Sequence, residues 1–210
     1  MRPQGSRNAG YHARQAELLD RMTDRLCDRH GGWPTLRELA AAAGCSVSTL
    51  SHYFGPRNAI VAAVLHRIAA GTVDQIEGTP IPEGDFPASV QRAAERATGA
   101  LHDPRISGLL AMGLIESLSA RALGPTFLGT MLDPFVDALA ERLDCHVARG
   151  EMRATDTRMA ALALISPIMI AALHQRQLGG EACNPLDAGA HCRHVADSFV
   201  AAYATAGPQG

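Results

Sequence analysis

Lysine is absent from this chain: all 19 basic residues among its 210 are arginine. Chemistry that needs a lysine amine, such as a Schiff base or the phosphate clamp of a P-loop, is therefore excluded. The sequence also has no GxSxG, HExxH or GxGxxG motif. We accordingly predict a chain that is not an enzyme, with no catalytic residue and no cofactor.

We expect neither a signal peptide nor a membrane span. No apolar stretch follows the basic start, and the longest apolar run, residues 159–173, contains Pro167. A membrane helix needs roughly 20 apolar residues. We expect this run to form a buried helix, and we expect a cytoplasmic protein without a membrane partner. The five cysteines form no CxxC pair, which favours reduced thiols.

Acidic and basic residues are unevenly distributed. The net charge of the whole chain is -2. Residues 1–67 contain nine arginines and five acids, a net charge of +4, whereas the other 143 residues contain ten arginines and sixteen acids, a net charge of -6. The N-terminal segment therefore suits a polyanionic partner.

Apolar residues repeat with the period of an α-helix through most of the chain, and no segment alternates with period two, so we predict an all-α fold. The first helix contains Leu18, Leu19, Met22 and Leu26 and stops at Gly31-Gly32. A linker rich in glycine and proline covers residues 78–85. Further helices are expected at about 86–101, 104–121, 125–149, 155–178 and 187–205, with kinks or restarts at Pro134 and Pro167.

Residues 35–54, TLRELAAAAGCSVSTLSHYF, have the spacing of two helices that meet at a tight corner. Thr35 and Glu38 form a capping box at the start of the first helix, and Ser46 caps the second. Ala40 is small enough for a crossing helix, and Gly44 adopts a positive φ at low cost. These features predict a helix-turn-helix.

The second helix of this motif has the polar surface that a DNA-reading helix needs. Small hydroxyl side chains allow close approach to base edges, while imidazole, phenol and guanidinium groups donate to phosphates. The helix N-terminus at residue 57 adds a further anion-binding feature. The predicted DNA contacts are Thr35, Val47, Ser48, Thr49, Ser51, His52, Tyr53 and Arg57.

The longer string TLRELAAAAGCSVSTLSHYFGPRNAIVAAVL resembles the DNA-binding signature of the TetR family of transcriptional regulators. The resemblance includes Phe54 at the end of the reading helix and a basic residue three positions later. It departs from the family at Ser51, where a tyrosine is usual, and at Arg57, where a lysine is usual. These two departures change side chains that contact individual phosphates in the family.

The resemblance implies nine or ten helices, with a three-helix DNA-binding head at about residues 1–66 and a helical ligand-binding and dimerisation domain at 67–210. The implied partners are a double-stranded DNA operator, a small-molecule effector and a second copy of the chain. A twofold dimer predicts a palindromic operator. The implied activity is that of a repressor released by its effector.

Apolar side chains on the later helices supply candidates for the effector pocket and for the dimer interface. Ligand pockets are mostly apolar, and methionine adapts to irregular ligands. The pocket candidates are Met112, Phe127, Met131, Phe135, Met169 and His174. The last two long helices form the interface in the family, and the interface candidates are Leu162, Ile165, Val195, Phe199 and Ala202.

Two alternatives stay open at this point. A metal- or redox-sensing regulator would use cysteine and histidine side chains, although their spacing matches no closed zinc site and we predict no metal. The residues concerned are Cys145, His146, Cys183, His191, Cys192 and His194. The second alternative is a helical enzyme without a recognisable catalytic motif.

Overall fold

The computed structural model describes residues 5–27, 34–77 and 79–205. They form two compact units. The first unit consists of the described residues up to Gly71 together with Gly108–Thr130, and the second of Thr72–Ser107 together with the described residues from Met131 onward. The division into two domains at residue 66, expected from the sequence, stays a prediction.

The described residues contain eleven α-helices, two of which are joined, so that they form ten helical segments. They contain no strand, which confirms the all-α prediction. Four α-helices come before the linker. They are α1 (Gly5–Cys27), α2 (Leu36–Ala42), α3 (Val47–Phe54) and α4 (Arg57–Glu77).

Seven α-helices follow the linker, two of them only four residues long. They are α5 (Phe86–His102), α6 (Pro104–Ser119), α7 (Gly124–Phe127), α8 (Asp133–Ala148), α9 (Thr157–Ala172), α10 (Gly180–Cys183) and α11 (Ala188–Tyr203). A π-turn, Leu128–Leu132, joins α7 to α8 in one helical segment, and a second π-turn, Leu173–Gln177, extends α9.

The core of the first unit is built by one apolar face from each of its first four helices. Leu18 and Met22 on α1 and Leu39 on α2 are completely buried. Leu50 on α3 and Ile60 on α4 are also completely buried. Each face follows the 3.6-residue period predicted from the sequence, because only side chains at that spacing lie on the same side of a helix.

The core of the second unit lies among α5, α8, α9 and α11, which pack against one another. Phe86, Leu139, Leu164 and Phe199 contribute large buried side chains from these four helices. The turn at Gly150 brings the chain back beside the end of α11, where the backbone N–H of Arg153 donates to the Tyr203 carbonyl oxygen at 2.9 Å.

The two prolines inside predicted helices affect those helices differently. Pro134 lies in the first turn of α8, directly after a π-turn, so the helix restarts there as predicted. Pro167 lies inside α9, and the helix continues through it. The predicted stop at Gly31-Gly32 lies outside the described residues.

One described helical segment, Thr157–Gln177, is long and apolar enough to cross a membrane by length and composition. A single segment of this kind is weak evidence for a membrane span. This one packs against α5, α8 and α11. It differs from the buried helix expected from the sequence, because Met159 and Ile170 on its outer side are each 63% exposed.

Candidate nucleic-acid interface

The corner between α2 and α3 has the geometry expected of a helix-turn-helix. The Thr35 hydroxyl accepts from the backbone N–H of Glu38 at 3.3 Å, and the Glu38 carboxylate accepts from the backbone N–H of Thr35 at 2.7 Å. Gly44 has φ +67°, a conformation in which a side chain is strained. A Cβ there would also lie 3.0 Å from the Arg21 guanidinium. The predicted capping box and turn are thus confirmed.

The first turn of α3 is held by the Ser46 hydroxyl. Its oxygen accepts from the backbone N–H of Thr49 at 3.1 Å and lies 2.8 Å from the hydroxyl oxygens of both Ser48 and Thr49. Three hydroxyl groups therefore form a small network at the N-terminus of the predicted reading helix. Because hydroxyl hydrogens rotate freely, these groups can serve as donors or acceptors to a base edge or phosphate.

The predicted contact residues differ in how accessible they are. Thr35, Ser48, Ser51 and His52 are exposed, and their side chains can be reached by a large partner. Val47, Thr49, Tyr53 and Arg57 are half-buried. α3 therefore presents a mixed polar face, as predicted, although four of the eight side chains also contact the head itself.

Tyr53 is positioned by α1, a contribution that sequence reasoning missed. Its ring stacks on the ring of Tyr11, with centroids 4.8 Å apart and an angle of 25° between the planes. Gln15, also on α1, donates to the Tyr53 carbonyl oxygen at 3.4 Å. Tyr11 and Tyr53 lie far apart in sequence and share no local motif, so no sequence signal pairs them.

Arg57 has an ion-pair partner that the sequence did not reveal. Its two terminal nitrogens donate to the two carboxylate oxygens of Glu116 on α6, at 2.6 and 2.9 Å, and it also donates to the Pro34 carbonyl oxygen at 3.1 Å. Arg57 and Glu116 both belong to the first unit. The Glu116 side chain is 10% exposed, and the two-pronged geometry makes this a strong charge-assisted contact.

The capping box makes the stability of the head depend on pH. The backbone N–H of Thr35 holds the pKa of Glu38 below its ordinary value of 4.5, with smaller contributions from the Thr35 hydroxyl and Arg25. A lowered pKa in the folded state stabilises the fold above the ordinary value, and this contribution is lost as the pH falls through the lowered value. We expect the melting temperature to fall less steeply between pH 6 and pH 3 in Glu38→Gln than in the parent protein.

Glutamine suits this comparison because it preserves a capping box and does not titrate. Glu38→Ala, which removes the box altogether, is the control and should have a lower melting temperature at every pH. Equal pH slopes for the parent protein and Glu38→Gln would contradict the effect assigned to this carboxylate.

A family model described as the C-terminal domain of AefR-like transcriptional repressors, TetR_C_7, matches residues 88–205. The match covers more than half of the chain and lies outside the helix-turn-helix, so it is independent of the signature at residues 35–57. The chain belongs to the TetR family.

Solved structures of the TetR family have the same fold. A protein of Mesorhizobium loti MAFF303099, described as a TetR-family regulator, is 18% identical with a TM-score of 0.75, and the match covers 93% of this chain and 98% of that one. A TetR regulator of Agrobacterium tumefaciens is 22% identical, with coverages of 92% and 95% and a TM-score of 0.65.

A third structure, SmeT of Stenotrophomonas maltophilia, is the repressor of the multidrug efflux pump SmeDEF. It is 17% identical, with coverages of 92% and 91% and a TM-score of 0.64. No curated protein matches the chain.

Membership of the TetR family identifies the functional class of the protein, which the sequence analysis had left open between three alternatives. The protein is a soluble, ligand-responsive DNA-binding transcriptional regulator of a repressor family, it acts as a homodimer, and it is not an enzyme. Nothing in the described residues favours a metal-sensing role, since they contain no group of three or more potential metal ligands. His146 is buried instead against Glu151, with Nδ1 2.6 Å from the carboxylate.

The residues predicted for the TetR-family effector pocket are divided between the two units. Met112 and Phe127 are buried in the first unit, where Phe127 packs on Gly113 so closely that a Cβ would lie 2.3 Å from its ring. The other four belong to the second unit and are half-buried. They are Met131, Phe135, Met169 and His174.

The predicted dimer contacts need a correction. Ile165, Val195 and Phe199 are at most 8% exposed and lie in the core of the chain itself, so they are not available to a second copy. Leu162 is half-buried and Ala202 is exposed. The sequence identified the two helices but not their outward faces, because adjacent helical residues point about 100° apart and both faces of α9 are apolar.

Proposed function

We propose that this regulator reads a palindromic operator by inserting α3 of each protomer into a major groove. The α2–α3 corner is the observation that supports this docking, because it exposes Ser48, Ser51 and His52 along one helix beside the hydroxyl network. Half-sites one helical turn apart would match two reading heads related by a twofold axis. A net charge of +4 in residues 1–67 favours the phosphate backbone.

The proposed effector acts by binding the two dimer states with different affinities, since a ligand that binds both equally shifts nothing. We propose that the effector favours the state with the weaker operator affinity, so that its binding releases the DNA. The whole cycle takes place in the cytoplasm.

The dimer surface that we propose lies on the outward faces of α9 and α11. Met159, Ala163, Ser166 and Ile170 follow one another at helical spacing along α9 and are all exposed. The corresponding face of α11 is made of small or polar side chains, which allow helices to approach closely. These are Ala190, His194, Ser198 and Ala201. α9 and α11 pack side by side, so the two faces can form one continuous surface.

Operator selection from random duplexes, followed by binding measurements at several salt concentrations, tests the docking. Arg57 was predicted to contact a phosphate, and the structure pairs it with Glu116. If DNA phosphate replaces Glu116 in the complex, Arg57→Gln should reduce the magnitude of the logarithmic salt slope by about one unit per half-site. Affinity should fall similarly for all selected sequences.

Arg67→Gln is a matched control on the same helix, because Arg67 pairs with Asp20 at 3.0 Å within the head. Its salt slope should equal that of the parent protein. An unchanged slope for Arg57→Gln would show that Arg57 stays with Glu116 in the complex. Failure to select any duplex at low salt would overturn the DNA-reading role of α3 as a whole.

A further inference from the structure

The second unit contains a cavity of about 190 Å³ that includes none of the pocket residues predicted from the sequence. It lies between the C-terminal end of α5, the end of α9 with its π-turn, and the start of α11. Residues 179–186, which we call the strap, form another wall. Leu101, Ile168 and Leu186 supply apolar side chains to the lining.

The Gln175 side chain joins the strap to the end of α9 by hydrogen bonds. Gln175 donates to the Asn184 carbonyl oxygen at 3.0 Å and accepts from the backbone N–H of Leu186 at 3.0 Å. Gly180 fits against the His174 ring so closely that a Cβ would lie 2.5 Å from it. These contacts hold the wall of the cavity in place, as a preformed binding site requires.

Arg176 gives the cavity a positive charge that forms no ion pair among the described residues. Its side chain is half-buried and lines the cavity, and among the described residues its guanidinium has neither an ion-pair nor a hydrogen-bond partner. Glu181, the carboxylate in the lining, is exposed and forms no ion pair with Arg176. The guanidinium nitrogens keep contact with solvent, so an anion that enters the cavity can reach them.

Thr98 supplies a second polar group that lacks a partner. Its hydroxyl oxygen is buried and has no hydrogen-bond partner within the described part of the chain, and Thr98 lines the same cavity as Arg176. Buried polar atoms in native proteins almost always have partners. His102 and His191 also line the cavity, each with one ring nitrogen 3.3 Å from a backbone carbonyl oxygen.

We propose that this cavity is a binding site for a small organic monoanion with an apolar body about the size of one ring. A dry apolar cavity of about 150 Å³ is known to hold benzene, so the present volume admits a ring with one carboxylate. The carboxylate would bind Arg176, while the ring packs on Leu101, Ile168 and Leu186. The assignment of this anion as the effector rests on the proposed function. Its binding in this cavity does not depend on that function.

Calorimetric titration of the full-length protein without DNA tests the binding. Benzoate is the probe, with benzamide and benzylamine as neutral and cationic ligands of similar size. We expect benzoate to bind at least tenfold more tightly than benzamide, since charge-assisted hydrogen bonds are roughly twice as strong as neutral ones. Arg176→Gln should weaken benzoate binding about tenfold and remove the preference over benzamide. Equal binding of benzoate and benzamide, or no benzoate binding, would overturn the proposal.

Two variants separate a local effect from general charge or folding effects. Arg193→Gln removes an exposed arginine on α11 that does not line the cavity, and benzoate binding should stay unchanged. Ala172→Leu fills the cavity and retains Arg176, so it should abolish binding even if Arg176→Gln fails to fold. Unchanged binding in Ala172→Leu would place benzoate elsewhere and overturn the site.

Release of a selected operator by saturating benzoate, measured against sodium chloride at the same concentration, tests the effector assignment. Release in the parent protein but not in Arg176→Gln supports it, and retention of the operator by the benzoate-bound protein overturns it. Failure of the operator selection would count against the proposed function alone, because the calorimetric experiment uses no DNA.

Discussion

Replacing Ile170 by glutamate is expected to convert the homodimer into monomers and to reduce operator affinity by on the order of 100-fold or more. Ile170 is 63% exposed in the single chain and lies at the C-terminal end of the proposed surface along α9. A carboxylate there would be desolvated without a partner on association, since the neighbouring side chains on this face are mostly apolar or small. The two DNA-binding heads would then bind their half-sites independently, without the gain in affinity that linkage in a dimer provides.

Sedimentation or light scattering measures the mass, and anisotropy with the selected operator measures the affinity. Ile81→Glu is a closely matched control, because Ile81 is 65% exposed and lies in the linker between α4 and α5. This control should remain dimeric and retain its operator affinity. A dimeric Ile170→Glu protein would place the interface elsewhere.

Removing the Arg142 side chain is expected to lower the free energy of unfolding by about 3 kcal/mol. Arg142 is 1% exposed, with Nε donating to the Thr79 carbonyl oxygen at 2.6 Å and Nη1 to the Ser89 hydroxyl at 2.8 Å. Burial, the largest cause, lowers the pKa of this guanidinium from its ordinary value. In Arg142→Ala, both buried acceptors would lose a donor and a cavity would remain.

Urea unfolding at a fixed protomer concentration measures this loss, since the stability of a dimer depends on concentration. Arg149→Ala is the control on the same stretch of chain: Arg149 is exposed and makes one 3.3 Å hydrogen bond to the Gly84 carbonyl oxygen. Its stability should change by no more than about 0.5 kcal/mol. A loss of less than about 1 kcal/mol in Arg142→Ala would contradict the role assigned to the buried guanidinium.

The helix-turn-helix could be predicted in detail because its determinants are local. Thr35 and Glu38 act on each other across one helical turn, Ser46 acts on the residues immediately after it, and Gly44 needs only its own backbone conformation. Such signals survive in a single sequence, since no distant residue is needed to interpret them. The helical period likewise predicted the later helices to within a few residues.

The buried and exposed faces of α9 and α11 could not be distinguished from the sequence in the same way. α9 is apolar nearly all round, so its periodicity does not distinguish a side that packs on α5 and α8 from a side that faces outward. Ile165 and Ile170 have the same chemistry, yet one is 4% and the other 63% exposed. Only the positions of the neighbouring helices decide between them.

The sequence by itself determined the helical class, the DNA-reading corner and the resemblance to the TetR family, because each depends on residues a few positions apart. The tertiary structure alone decided that Glu116 pairs with Arg57 across 59 positions, that Arg142 is buried against Thr79 and Ser89, and that Thr98 and Arg176 line one cavity. Contacts of this kind depend on how helices pack, and helical periodicity carries no information about which distant side chains meet.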